Sequence, residues 1–78
     1  MDQFEKVINV PDYPPQLKHK VIFESFDGLA LGEALLLIND HDPRPLHYQF
    51  EATRGGQFSW EYLEQGPEVF RVKIGKLG

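Results

Sequence analysis

The chain contains no cysteine. That absence removes disulfides, thiolate nucleophiles, persulfide carriage and thiolate metal sites together. It suits a reducing compartment. Long apolar runs are missing too. The most apolar stretch, "EALLLI", falls far short of the roughly 20 residues that a membrane helix needs. The opening "MDQFEKVINV" is acidic and short of apolar residues, so it does not read as a secretory signal. A cytoplasmic protein is the expectation. Basic residues are few and unclustered, and the net charge is -4. A nucleic-acid backbone binder would need a basic footprint that this chain lacks.

What remains is the composition of an ordinary globular domain, 41% hydrophobic and 26% charged. Seventy-eight residues allow a single domain, 1–78, with one small core. There is no internal repeat, low-complexity tract or linker.

"KVINV" (6–10) reads as a short β-branched strand. "PDYPP" breaks it. Pro14 and Pro15 are tolerated in a first helical turn, where the amides have no intrahelical partner. "QLKHKVIFESF" then puts Leu17, Val21, Ile22 and Phe26 on one helical face. Asp27-Gly28 ends that helix, with Gly28 in the left-handed cap. "ALLLI" (34–38) is apolar on both faces and reads as a central strand. A helix between two strands implies a parallel, right-handed crossover. "LHYQFEATR" follows, with Leu46, Phe50 and Thr53 on one face and Arg54-Gly55-Gly56 as its stop.

The end reads as a hairpin around Gln65-Gly66-Pro67. Placing Glu64 opposite Glu68 pairs Tyr62 with Phe70, Trp60 with Val72 and Phe58 with Ile74 on one face. Glu61 then meets Arg71, and Ser59 meets Lys73, on the other. The order is β-α-β-α-β-β, an α+β two-layer α/β sandwich with both helices on one side of a four-stranded mixed sheet. The opposite sheet face is left uncovered, carrying either Leu35/Leu37 or Leu36/Ile38.

The stretch "NDHDPRP" (39–45) between strand and helix carries most of the candidate chemistry. Asp42 before Pro43 has the form of an N-cap. Asn39 and Asp40 have the form of a strand-ending turn. Capping leaves His41 and Arg44 unused. In parallel α/β units, ligands favour the crevice at the carboxyl ends of the strands. Tyr13, His19, Asp40, His41, Asp42 and Arg44 are expected at that edge, with Lys18 beside them. Arg44 there would clamp a carboxylate or phosphate. The prolines remove amides that would otherwise hold an anion. A metal site would draw on His19, Asp40, His41, Asp42 and His47, but no HxxxH or ExxH pair exists. No metal or cofactor is therefore expected. Catalysis has no constellation behind it. Glu33, Glu51, Glu61 and Glu64 read as solvated faces, and "GLALG" and "RGG" lack phosphate-loop spacing.

The segment "FDGLALGEALLLINDHDPRPLHYQFEATRGGQFSWEYLEQGPEVFRVKIGK" closely resembles the bacterial domain-of-unknown-function family DUF2249, over nearly the whole chain. "NDHDPRPL" and "FSWEYLEQGPEVFRV" carry the resemblance. That family is similar in fold to the TusA/SirA sulfur-carrier proteins. The resemblance implies a sheet ordered 1-2-4-3, the last strand antiparallel to the rest. Sulfur carriers use a Cys-Pro motif after the first strand; here the matching stretch is "DYPP", with Tyr13 at the cysteine position. A phenol cannot carry a persulfide, so the fold does not bring that function. The resemblance further implies an accessory or interaction domain with a protein partner, a hemerythrin-like or other redox protein tied to nitric oxide. The alternative is a small-anion or metal-binding module built on His41 and Arg44.

Overall fold

The computed structural model describes residues 4–78. Four strands and two helices follow the expected order. They are β1 (Lys6–Asn9), α1 (Pro15–Asp27), β2 (Ala34–Asn39), α2 (Arg44–Arg54), β3 (Phe58–Gln65) and β4 (Phe70–Lys76), with a 3-10 turn at Val10–Asp12 after β1. The sheet is ordered β1-β2-β4-β3. β1 and β2 are parallel, and β4 runs antiparallel to both of its neighbours.

Alternation decides which side chains meet the helices. Leu35 and Leu37 are fully buried on the same sheet face as Ile8, Val72 and Ile74. Ile22 and Phe26 of α1, and Leu46 and Phe50 of α2, complete that core. The two helices touch through Phe23 and Phe50, stacked at 4.5 Å between ring centroids. Phe26 meets Phe50 edge-on at 5.2 Å. Rings at these separations add a geometric preference to the area they bury.

The uncovered face carries Leu36 and Ile38, which settles the two-way choice. Register lines up Val7, Leu36, Lys73 and Glu61 across the four strands, and Asn9, Ile38, Arg71 and Glu64 in the next row. Val7 is 59% exposed. Charges on β3 and β4 therefore flank a short apolar stripe on β1 and β2.

The hairpin departs from the expected register. Trp60 lies opposite Ile74 and Tyr62 opposite Val72, a shift of two residues. Glu61 pairs with Lys73, Ser59 with Gly75, and Phe58 with Lys76. A bulge between Tyr62 and Glu64 brings Glu64 opposite Arg71 and Gln65 opposite Phe70. The connection is thus longer than three residues, closed by the Gly66 amide donating to the Val69 carbonyl at 2.7 Å. A shift of two preserves side-chain parity, so the aromatic side of β3 still faces α2. The Arg71 guanidinium now sits 3.3 Å from the Glu64 carboxylate.

Other local expectations also change. Gly28 is right-handed, at φ -80, with its amide donating to Glu24. The turn continues with Leu29 donating to Phe26, which carries Leu29 into the core. Lys76 closes the end of α1 by donating to the Asp27 carbonyl at 2.8 Å, where a cation suits the helix dipole. Leu17 is 44% exposed, outside the core. Thr53 is exposed as well, its hydroxyl spent on the Gln49 carbonyl at 2.7 Å.

Candidate functional site

The parallel pair β1 and β2 ends at Asn9 and Asn39, and both helices begin just beyond. Between these ends lies an open cleft of about 130 Å³. Four nitrogen-bearing side chains line it: Lys18 and His19 from the start of α1, Asn39 from the end of β2, and His41 from the next loop. The N-termini of α1 and α2 flank it, so the positive ends of two helix dipoles meet there. Among the described residues no Asp or Glu lines it.

Asn39 is the structural centre of this cleft. It shares the helix-facing parity of Leu35 and Leu37 and is only 6% exposed. Its side-chain oxygen accepts the Asp40 amide at 2.9 Å. That bond fixes which end of the amide turns away from the chain. The nitrogen end has no hydrogen-bond partner among the described residues and stays open to solvent at the cleft. An unpaired polar group this deep costs free energy unless water or a ligand meets it.

His41 and Asp40 form a pair at the cleft mouth, Nδ1 to Oδ1 at 2.7 Å. That hydrogen bond holds the Asp40 carboxyl below its ordinary pKa, with smaller help from the charges of His41 and Lys18. A carboxylate partner makes Nδ1 the donor, so Nε2 donates only in the protonated ring.

The remaining expected site residues are elsewhere. Asp42 caps nothing: Pro43 holds the N-cap position of α2, without a side-chain cap bond. The Asp42 carboxylate instead accepts the Tyr62 hydroxyl at 2.7 Å, tying the loop to β3. Burial, then this bond, raises the Tyr62 pKa. Arg44 extends outward, 65% exposed, with its nearest carboxylate, Asp42, at 3.6 Å. Tyr13 packs against the hydrophobic core. The edge expected from sequence thus divides. His19 and His41 share the cleft, Asp40 supports His41, and Asp42, Arg44 and Tyr13 do not line it. His47 lies away from it as well, stacked on Trp60 at 4.4 Å.

Sequence reasoning named Asn39 as a strand end and missed its place in the cleft. The signal was parity: position 39 continues the helix-facing series 35, 37. Tyr62 was assigned to the apolar face, but its partnership with Asp42 depends on a loop path that no periodicity encodes.

Among the described residues no group of three or more His, Cys, Asp and Glu is placed to hold a metal ion. Nor, among those residues, is any helix long and apolar enough to cross a membrane. The fold and cleft define a small α+β domain with a donor-lined pocket at the ends of its parallel strands. The chain belongs to the family of uncharacterized conserved proteins DUF2249, whose model matches residues 7–76. No curated protein and no solved structure matches it.

Proposed function

We propose that this domain is a binding module for a small anion, held in the cleft between the starts of the two helices. The observation that carries the reading is Asn39, with its buried side chain and its amide nitrogen left open at the cleft. Lys18 and His19 stand beside it with further donors, and the two helix dipoles favour negative charge at the same place. The test is a two-dimensional amide NMR titration of the intact chain with acetate and with inorganic phosphate. Expected are saturable shifts of the Asn39 side-chain amide and of the first turns of both helices. Absence of shifts there with both anions at high millimolar concentration would reject the module.

A second reading is a docking role beside a protein partner, a hemerythrin-like or other redox protein. It is supported by the uncovered sheet face, where Val7 is exposed beside half-buried Leu36 and Ile38. Mixing the labelled domain with a purified hemerythrin-like protein tests it. Broadening confined to β1 and β2 of the open face is the expected result, and an unchanged spectrum counts against it.

A further inference from the structure

We infer that the ligand of the cleft is a short-chain monocarboxylate, with its charged end at Asn39 and its alkyl end against the hydrophobic core. The inference rests on the anion-binding reading and narrows it to one chemical class.

The first argument is the lining. Beside the four nitrogen-bearing side chains, the cleft wall consists of Val10, Ile22, Pro43, Pro45 and Leu46. Val10, Ile22 and Leu46 are core residues, exposed by 4%, 2% and 6%. An alkyl group seated on them extends the core rather than lying on the surface. A fully hydrated anion would leave this half of the wall wet and unpartnered.

The second argument is the proline pattern. Phosphate sites at helix N-termini depend on several free backbone amides. Here Pro14 and Pro15 open α1, while Pro43 and Pro45 open α2. Each removes an amide where such a site would use one. Two further amides are already engaged, Leu17 to the Pro14 carbonyl and His47 to the Pro43 carbonyl. The helix ends keep their positive potential and lose much of their donor array. What is left is a few side-chain donors, enough for two carboxylate oxygens and poorly matched to the oxygens of a phosphate.

The third argument is size. The space of about 130 Å³ exceeds that of roughly four waters at about 30 Å³ each. A carboxylate with a short tail fits within it. The floor has the same two-part character. Val10 and Asn39 directly follow the paired residues Asn9 and Ile38, so an apolar and an amide side chain sit next to each other at the strand ends.

The test uses the intact, unmodified domain, with affinities read from NMR shifts of the cleft residues. The probes are acetate, propionate, butyrate and hexanoate, with inorganic phosphate, butylamine and butanol as comparisons. Expected is a rise in affinity of roughly fourfold for each methylene that becomes buried, as apolar transfer dictates. The rise should level off once the cleft is full. Butyrate should exceed phosphate at least about tenfold, a gap that two buried methylenes alone supply. Binding of phosphate as tight as that of butyrate, or no dependence on chain length, would overturn the monocarboxylate assignment and leave the anion module standing. Butanol or butylamine binding as well as butyrate would overturn both, because the carboxylate would then contribute nothing. Failure of every anion to shift the cleft residues would also overturn both.

Discussion

The bond between Asp42 and Tyr62 makes a quantitative test of how the loop before α2 is held. If the aspartate were a helix cap, its worth would be independent of residue 62. In the structure its oxygen accepts the Tyr62 hydroxyl at 2.7 Å, so the two side chains must be energetically coupled. Hydrogen bonds to charged groups contribute about 1.5–3 kcal/mol. The Asp42 side chain is 33% exposed, so water competes for its oxygens and the lower end applies. A double-mutant cycle of Asp42→Ala and Tyr62→Phe should give a coupling energy of about 1–1.5 kcal/mol. Asp42→Asn should cost less than Asp42→Ala, since an acceptor oxygen survives. The assay is urea unfolding followed by circular dichroism. With m near 1 kcal/mol/M, each single change should move the midpoint by roughly 1 M. A spectrophotometric titration supplies a second reading. Because burial and the Asp42 bond raise the Tyr62 pKa, this phenol should ionise after an ordinary tyrosine. The bond's stabilisation is present below the unfolded tyrosine pKa and is lost as pH rises through the higher folded value. Coupling below about 0.3 kcal/mol, the level of independent sites, would refute the argument. It would mean that the loop before α2 is held by contacts other than this bond.

Other outcomes follow from single contacts. Arg44→Ala should leave both stability and carboxylate binding nearly unchanged in the NMR titration, because the side chain is 65% exposed and does not line the cleft. Gly66→Ala should destabilise by about 1–2 kcal/mol, since φ is +76 and the new Cβ would lie 2.9 Å from Phe70 Cζ. Gly28→Ala should be neutral or stabilising by about 0.4–1 kcal/mol, since Gly28 is right-handed with its nearest obstacle at 3.5 Å; thermal melts separate the two glycines. Arg54 holds the Asp27 carboxyl below its ordinary pKa through a two-pronged contact at 2.9 and 2.7 Å. The stability from that contact is present above the unfolded carboxylate pKa and is lost as pH falls through the lowered folded value. Arg54→Ala should therefore flatten the acid limb of the stability profile. The ion-pair part of its cost at neutral pH is no more than about 1 kcal/mol.

The elements were legible because their periodicities are strong. "ALLLI" could only be a central strand, and Phe50 with Leu46 could only be a helix face. The hairpin's face was legible and its register was not. Alternation constrains parity, while pairing depends on how many residues the turn and bulge consume. Counting three residues in the turn placed Trp60 two positions away from its true partner. Asp42 was misread for a related reason. A carboxylate before a proline resembles a cap, yet its acceptor went to a hydroxyl twenty residues away, a contact visible only once β3 is folded under the loop. The cleft was half legible. The strand-end rule pointed to His19 and His41, but it also gathered Tyr13, Asp42 and Arg44, whose directions are set by packing and not by proximity in sequence.

The stack of His47 on Trp60 gives the domain its own optical probe. Trp60 is the single tryptophan of the chain. Its ring lies parallel to His47 of α2, with an interplanar angle of 3°, and its indole nitrogen is buried. The emission of one fluorophore therefore reports on one joint, the contact between α2 and the hairpin. His47 follows Leu46, a wall of the cleft, so movement of α2 at the pocket reaches the indole through adjacent residues of the same helix. Changes in its wavelength and intensity read the seating of that helix without any label.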